Sequence, residues 1–238
     1  AGFVYPGSET VIDVFGRRMA VDSDWIVIDD GRPVETPLTQ QLAVGFGVGH
    51  ALRMAGRVVL HGPLLVIGDA VTAFVGESDA GKSTVASRLY DRGHPVVSEP
   101  FVPVGEDGRV PRGPSCLRLP PERAAAVTRE TTPVTECGLD KCYYALEPAS
   151  PVSPPYRLDR VYLFESNDGA FGIDPVTDEP GAALWPYVFG RASLRHAGRA
   201  AAARRRLDRA CADCSVRRVR NPKRVEPSDV AAAILADR

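Results

Sequence analysis

Apolar runs and polar breaks alternate through the middle of the chain in a pattern that predicts strands around one helix. In "RVVLHGPLLVIGDAVTAFVG" two apolar runs flank Gly68 and Asp69, a pair that favours a tight hairpin turn. In "KSTVASRLYDRG" Val85 and Leu89 lie one helical turn apart, and Gly93 is typical of the residue that follows a helix. The next apolar run, "HPVVS", predicts another strand.

The flanking segments add shorter elements to this centre. "TVIDVFGRRMAVDSDWIVID" alternates loosely and predicts two or three strands. "TPLTQQLAVGFGVGHALRMAG" predicts a helix from Thr39 to about Gly56. "RVYLFE" at 160–165 predicts a strand, and "EPSDVAAAIL" predicts a final helix with Ser228 as its N-cap.

Strand, loop, helix and strand in this order predict an α/β core. The chain has 238 residues, of which 44% are hydrophobic and 25% charged, as in a soluble protein of one domain with a small extension. We expect an N-terminal unit of strands plus a helix at 1–56, packed on a core domain at 57–238. The proline-rich patches at 111–121 and 148–155 predict loops within that core.

Charge is balanced overall but uneven along the chain. The formal net charge is −1, which gives the whole molecule no bias toward nucleic acid or membranes. Between Arg191 and Arg224, however, 12 Arg or Lys stand against two acids. Because no aromatic residue for stacking on bases interrupts this stretch, we favour a solvated Ala/Arg helix over a surface for an acidic peptide or nucleic acid.

The cysteines point to no disulfide framework. Five cysteines are an odd number, and a chain of this size does not need covalent staples. Cys211 and Cys214 form a C-x-x-C pair, and Cys137 and Cys142 are five positions apart. Four thiolates are a zinc ligand set, but the second pair has the wrong spacing, so buried thiols are the favoured interpretation.

No targeting or membrane signal stands out. The first residues, "AGFVYPGSET", lack the features of a signal peptide. The longest mostly apolar run, Leu42 to Leu52, is too short to span a bilayer. The expectation is a cytoplasmic protein without membrane contact.

One motif carries specific chemistry. Gly76, Gly81, Lys82 and Ser83 match G-x-x-x-x-G-K-[ST], after a predicted strand and at the start of a predicted helix, which favours a nucleotide site over an ordinary Gly-rich turn. In this motif backbone N–H groups and the helix N-terminus surround phosphates, the lysine adds a positive charge, and the hydroxyl binds Mg²⁺. The predicted nucleotide-binding residues are Gly76, Glu77, Ser78, Asp79, Ala80, Gly81, Lys82, Ser83 and Thr84.

The segment from His61 to Pro100 resembles the catalytic core of HPr kinase/phosphorylase. That family's pattern runs from His-Gly through an apolar hairpin to G-x-S-x-x-GKS, then R-G-H and a strand that ends in paired aspartates, and "HGPLLVIGDAVTAFVGESDAGKSTVASRLYDRGHPVVSEP" follows it without a gap. Looser similarity covers 50–238, through "CLRLPPE", "LDKCYYAL", "RVYLFE" and "SVRRVRNP". Those segments resemble the broader HPr-kinase-like proteins, which include peptide-modifying kinases of lasso-peptide biosynthesis.

The resemblance implies a fold and a set of functional residues. The fold is a P-loop kinase core of the HPr kinase and phosphoenolpyruvate carboxykinase type, here with a small β-rich N-terminal extension. Lys82 and the loop bind ATP, Ser83 helps to bind Mg²⁺, and His61 falls on the family's active-site histidine. Glu99 takes the place of the first paired aspartate, as general base and metal ligand, and Pro100 replaces the second.

The implied function is an ATP-dependent, Mg²⁺-requiring kinase that phosphorylates a hydroxyl of a protein, a peptide or a small molecule. Pro100, together with Asp79 at a position where the family has glycine, favours an alternative: a nucleotide-binding accessory module with lost or weak transfer activity. A third reading is a plain or nucleic-acid-linked NTPase. The prototype kinases are hexamers, so a homo-oligomer belongs to the same expectation, as do ATP and ADP as ligands.

Several other residues have a plainer interpretation. "GFGVG" at 45–49 lacks the spacing of a dinucleotide loop and predicts close helix packing. His94 is interpreted as part of a turn, and His50 and His196 have no recognisable partner. If His61 and Glu99 are close, we expect each to shift the other's pKa toward the charged pair. Lys141 is a candidate for contact with phosphate or acceptor, against an ordinary surface lysine.

Overall fold

The protein is a mixed α/β structure with a six-stranded central sheet. A computed structural model describes residues 2–4, 10–14, 17–29, 36–134, 140–147, 153–167, 169–196 and 199–237. The strands are β1 Gly2–Val4, β2 Thr10–Val14, β3 Arg17–Val21, β4 Ile26–Asp29, β5 Val58–His61, β6 Leu64–Ile67, β7 Ala70–Gly76, β8 Val96–Ser98, β9 Phe101–Val104, β10 Cys116–Leu119, β11 Thr131–Pro133, β12 Cys142–Leu146, β13 Arg160–Glu165, β14 Gly172–Pro175 and β15 Ser215–Arg220. The α-helices are α1 Pro37–Leu42, α2 Val48–Met54, α3 Lys82–Asp91, α4 Pro121–Ala124, α5 Pro180–Leu184, α6 Arg191–His196, α7 Ala200–Cys211 and α8 Pro227–Ala236.

The central sheet positions the site. Its strand order is β14-β15-β13-β7-β6-β8, with β7, β13 and β15 mutually parallel and the other pairings antiparallel. Gly76, the last residue of β7, is paired with Phe164, the last but one residue of β13, so the two strands end close together. Loops that follow parallel strands meet at one edge of a sheet, so the segment after Gly76 lies at that edge.

Alternating residues of β13 cover opposite faces of the sheet. Tyr162 and Phe164 pack with α3 and α8 in one hydrophobic cluster, whereas Val161 and Leu163 pack with α7 and β5 in another. All four side chains are fully buried. Such a strand, apolar on both faces, is typical of a sheet with layers on both sides.

The N-terminal segments form a small antiparallel sheet and a helical segment. Strands β1 to β4 pair in sequence order. Helices α1 and α2 are joined by a π-helical stretch, Ala43–Gly47. A Cβ on Gly49 would lie 2.6 Å from the Phe101 ring and 2.7 Å from the Phe189 ring, so the glycine allows the helix to approach closely. The interpretation of "GFGVG" as helix packing is confirmed.

Most predicted elements are confirmed, and three details were wrong. The helix expected from Thr39 begins at Pro37. Helix α8 begins at Pro227 after Glu226, so Ser228 lies inside it, because proline is favoured at the first helical position. The loop expected at 111–121 contains β10, which pairs with β12. Part of the patch at 148–155, residues 148–152, lies outside the described residues.

The Arg-rich stretch forms helices α6 and α7, as favoured from the sequence, and also strand β15, which was not predicted. On α7, Leu207 is buried in the core while Arg206 pairs with Glu106 and Arg204 with Asp208. These partially exposed pairs are each worth less than about 1 kcal/mol. The stretch is therefore a surface layer over an apolar helix face rather than a field of free cations.

The remaining histidine and cysteine expectations need correction. His50 has a partner, because Arg53 Nη2 lies 3.0 Å from its Nδ1 and its ring packs on Phe189. Cys142 is disulfide-bonded, which removes its sulfur from any zinc set and contradicts the expectation of thiols alone. Cys211 and Cys214 are free.

Two negative findings complete the description. Within the described residues, no cluster of three or more His, Cys, Asp or Glu side chains is arranged to bind a metal ion. Among these same residues, no helix has the length and apolar character needed to cross a bilayer.

Candidate functional site

The glycine-rich loop lies between a buried strand and a helix. Strand β7 ends at Gly76, the loop covers 77–81, and α3 begins directly at Lys82. Gly76 has a φ of 137°, and a Cβ there would lie 2.1 Å from the carbonyl oxygen of Phe164. Only glycine therefore allows β7 to approach β13 where the loop begins. The strand–loop–helix setting that the motif requires is confirmed.

Lys82 is buried within this loop. The residue is 5% exposed. Its Nζ donates hydrogen bonds to the carbonyl oxygen of Gly76, at 3.0 Å, and to that of Glu77. Burial lowers the pKa of Lys82 to about 8, while the carboxylate of Glu99 opposes that shift. At neutral pH most of the lysine is charged, so the loop contains one concentrated cation.

Glu99 lies directly beside the first turn of α3. One carboxylate oxygen accepts a hydrogen bond from Ser83 Oγ at 2.5 Å, and the other accepts one from the backbone N–H of Arg118 at 2.8 Å. The residue is 3% exposed. Burial raises its pKa to about 7, against the hydrogen bonds and the nearby cations that stabilise the charged form. The structure thus brings Lys82, Ser83 and Glu99 together.

His61 lies at the end of β5, next to the same cavity. It is paired with Phe101 across β5 and β9, and the two rings are 6.0 Å apart. Burial first, then the positive charges of Lys82 and Arg118, lower its pKa to about 4. The expectation that His61 and Glu99 shift each other toward a charged pair is wrong, since burial moves both toward their neutral forms.

Asp79 and Lys141 close one side of the loop as an ion pair. Asp79 has a φ of 59°, the left-handed region that favours glycine and tolerates aspartate. The Lys141 hydrogen bond and charge hold the pKa of the Asp79 carboxyl below its ordinary value. Lys141 therefore reaches the loop, but in this structure its ammonium contacts Asp79.

The loop, His61 and Glu99 line one cavity of about 440 Å³. Cationic side chains outside the motif also line it: Arg118, Arg123, Lys141 and Lys223. Within the described residues the Arg118 guanidinium makes no hydrogen bond or ion pair, and its nearest aromatic partner is the Tyr143 ring, with the guanidinium carbon 6.0 Å from the ring centre. A cavity with this excess of cations favours an anionic ligand.

Sequence reasoning missed three of these cations. Arg118 had a signal, since it interrupts the apolar run of "CLRL" in a segment already singled out. Lys223 was assigned to the solvated Arg-rich stretch, and Arg123 was not singled out at all. The chain contains three lysines, and all three line this cavity. In a chain that otherwise uses arginine, the rarity of lysine was the signal that the sequence offered for Lys223.

The buried carboxyl of Glu99 leads to a prediction on stability. Its pKa rises from an ordinary 4.5 to about 7 on folding, so the folded protein binds this proton more tightly than the unfolded chain. The resulting stabilisation is present at low pH and is lost as pH rises toward 7. Glu99→Gln, which imitates the protonated form, is expected to gain about 2 kcal/mol relative to wild type between pH 5 and pH 8.

Urea denaturation of metal-free protein at both pH values measures this change. Glu122→Gln serves as the control, since Glu122 is an exposed acid in α4 with no burial to relieve. A Glu99→Gln variant that is equally destabilised at both pH values would contradict the burial of an ionisable carboxyl at this position.

The chain has structural matches among known proteins but no sequence matches. No protein-family model matches the chain, and no curated protein matches it in sequence. Among solved structures, the HPr(Ser) kinase/phosphatase from Coxiella burnetii aligns with 75% of this chain and 95% of its own, at 10% identity and a TM-score of 0.31. A likeness of that size does not establish a shared fold, so function has to be argued from the geometry of the site.

Proposed function

We propose that this protein binds ATP at the glycine-rich loop and transfers the γ-phosphoryl group to a hydroxyl of a protein, a peptide or a small molecule. One observation carries the proposal: the buried carboxylate of Glu99 lies 2.5 Å from the hydroxyl of Ser83, on the helix that begins at Lys82. A site for anionic oxygens and a group that accepts a proton therefore meet at one point. We assign this domain, 57–238, to the HPr kinase and phosphoenolpyruvate carboxykinase type, with 1–56 as the extension.

The loop supplies the binding energy for the phosphates. Backbone N–H groups at the N-terminus of α3 and the ammonium of Lys82 stabilise anionic oxygens, more strongly in a buried site than in water. In the transition state of phosphoryl transfer, charge spreads over the γ-phosphoryl oxygens. Lys82 and the guanidinium of Arg118, which line the same cavity, are the two cations that we assign to stabilising that charge.

The oxygens of Ser83 and Glu99 suit a magnesium ion. Mg²⁺ prefers hard oxygen ligands and uses one or two protein groups together with water and substrate phosphates. A hydroxyl and a carboxylate within 2.5 Å of each other are such a pair. When bound, the ion neutralises charge on the phosphates.

Glu99 is the general base of the proposed reaction. Its carboxyl group lines the same cavity as the loop, within reach of an acceptor hydroxyl brought to the γ-phosphoryl group. His61, neutral because burial lowers its pKa to about 4, orients the acceptor hydroxyl by a hydrogen bond rather than by charge. Such general-base assistance typically contributes on the order of 10² to 10⁴ in rate.

A nucleotide-binding module without transfer is the second candidate. Two observations favour it. Lys141 is engaged in an ion pair with Asp79 and is therefore not free to contact a phosphate group, and Pro100 cannot accept a proton. Calorimetric titration with ATP and Mg²⁺, followed by mass spectrometry of acceptor mixtures, separates the two. Binding together with an acceptor that gains one phosphoryl group supports the kinase. ATP binding with no phosphorylated product and no ADP release supports the nucleotide-binding module. If ATP does not bind, both candidate functions are contradicted.

Asp79→Asn is expected to tighten ATP binding. Asparagine tolerates the left-handed backbone at this position, so the loop keeps its shape. The substitution removes a negative charge beside the phosphates and releases Lys141 toward them. We expect a Kd for ATP lower by about 2- to 10-fold at low salt, with a smaller gain at high salt because the side chain is exposed to screening.

Asp69→Asn is the matched control for this prediction, since Asp69 lies at the opposite end of β7. The Asp69→Asn variant should bind ATP with the same Kd as the wild type. An Asp79→Asn variant that binds ATP more weakly would instead indicate that Asp79 contacts the nucleotide or its metal directly.

A further inference from the structure

A second cavity adjoins the phosphate site on the side of His61. Its volume is about 280 Å³, and it shares His61, Ser78, Pro100 and Arg118 with the cavity of the glycine-rich loop. We call this second cavity the aromatic chamber. Because the two cavities share these residues, a molecule in the aromatic chamber lies next to His61, which is proposed to orient the acceptor hydroxyl.

Three phenylalanine rings line the aromatic chamber. Phe101 and Phe189 lie 5.2 Å apart between ring centres, and Phe46 lies 6.1 Å from Phe189. Phe46 is 39% exposed, although a ring of this size is usually buried. Phe46 belongs to the π-helical stretch between α1 and α2, and π-helical turns occur frequently at functional sites.

Tyr143 adds a polar group to the aromatic chamber. The residue is 4% exposed and lines the chamber, where its hydroxyl can donate or accept a hydrogen bond. A Cβ on Gly45 would lie 3.7 Å from this hydroxyl, so Gly45 leaves space in front of it.

Charge narrows the occupant further. Of the described residues around the aromatic chamber, Arg118 is the one with a permanently charged side chain, and none is acidic. A cationic group would find no counter-ion there, and the guanidinium of Arg118 is already assigned to the γ-phosphoryl group rather than to an anionic acceptor. The far end of the phosphate cavity, with Pro120, Pro222 and Pro227, offers the nucleotide base a separate place.

We propose that the aromatic chamber binds the acceptor, and that this acceptor carries its hydroxyl on an uncharged, ring-sized apolar group. The inference rests on the proposed kinase function. An apolar cavity of roughly 150 Å³ already accommodates benzene, so the volume is sufficient. In the reaction the acceptor oxygen bonds to the γ-phosphorus, the bond from that phosphorus to the β–γ bridging oxygen breaks, ADP leaves, and the hydroxyl proton passes to Glu99.

The test uses benzyl alcohol as the probe and glycerol as a polar alcohol of similar reactivity. Saturation-transfer NMR, with the full chain and a non-hydrolysable ATP analogue bound, measures binding of each alcohol without any need for transfer. We expect benzyl alcohol to bind at least 10-fold more tightly than glycerol. Equal binding of the two alcohols, or no binding of benzyl alcohol, overturns the proposal.

Gly45→Leu is the decisive variant, because it fills the aromatic chamber from a helical position and removes no core side chain. Benzyl alcohol binding should fall at least 10-fold, while the Kd of the ATP analogue stays within 2-fold. Val48→Leu, an exposed position on the same helical segment, is the matched control and should change neither. If Gly45→Leu weakens the nucleotide instead, the chamber holds the base and the proposal is wrong.

Tyr143→Phe tests the hydroxyl separately from the space. Loss of one neutral hydrogen bond is expected to raise the Kd of benzyl alcohol by about 3- to 10-fold, again with ATP binding unchanged. No change would show that Tyr143 does not contact the acceptor hydroxyl. If benzyl alcohol binds in the aromatic chamber but is not phosphorylated, the kinase function is contradicted and the binding site is not. If only polar alcohols are phosphorylated, the kinase function stands and the proposed acceptor site is wrong.

Discussion

Lys82→Ala is expected to lower phosphoryl transfer by on the order of 10² to 10³, the loss typical when one preorganised charge-stabilising donor is removed. The side chain is buried, and its ammonium is the cation nearest the loop carbonyls of Gly76 and Glu77. Hydrogen bonds from charged groups are worth about 1.5 to 3 kcal/mol, so ATP affinity should fall as well. Calorimetry with ATP and a labelled γ-phosphate assay measure the two effects.

Lys82→Met is the companion variant, because it keeps the length of the aliphatic stem but not the charge. If both variants lose transfer equally while thermal stability is retained, charge rather than packing is responsible. The pH dependence gives an independent check. Since burial lowers the pKa of Lys82 to about 8, ATP affinity of the wild type should decline as pH rises through that value. A Lys82→Met variant with wild-type turnover would contradict the proposed site.

Gly76→Ala is expected to prevent stable folding, with a loss on the order of 4 to 5 kcal/mol or more. A Cβ at this position would lie 2.1 Å from the carbonyl oxygen of Phe164 and 2.8 Å from its backbone nitrogen. Backbone atoms of a central strand cannot move aside cheaply. The backbone of Gly76 also has a φ of 137°, which L-residues rarely adopt.

Gly68→Ala separates these two causes. Gly68 also has a positive φ, of 63°, but a Cβ there has no atom within 4 Å among the described residues. Gly68→Ala should lower the free energy of unfolding by about 1 to 2 kcal/mol, which is the cost of the left-handed backbone conformation alone. Urea unfolding followed by circular dichroism measures both variants. If the two lose stability equally, the close approach of β7 and β13 is not what requires glycine.

Local sequence was sufficient for the centre of the fold. Strand β13 has the bounds read from "RVYLFE". Helix α3 begins at Lys82 of the motif, directly after Gly81, whose φ of 91° is outside the helical range. Such elements are predictable because their apolar period and their turn residues act over a few positions. Strand β10, inside 111–121, was not predictable in this way. Prolines precede and follow it in the sequence, which is typical of a loop, and its pairing with β12 is a long-range contact.

The proposed acid and base chemistry depended on tertiary structure. The sequence placed Glu99 near the loop, but its contact with Ser83, its burial and its pKa of about 7 follow from how β8, β10 and α3 pack. His61 was expected to become charged beside Glu99. Burial lowers its pKa instead, because desolvation depends on everything packed around the ring.

By itself, the sequence determined the glycine-rich loop and its strand–loop–helix setting, since the glycines of the motif permit the backbone conformation that the loop needs. Only the tertiary structure decided what surrounds that loop. Arg118, Lys223 and Tyr143 come from segments far apart in the chain, and neither their convergence nor the aromatic chamber beside them has a signature in local spacing. Desolvation and charge are properties of that assembled neighbourhood, so they set the pKa values and the shape of the site.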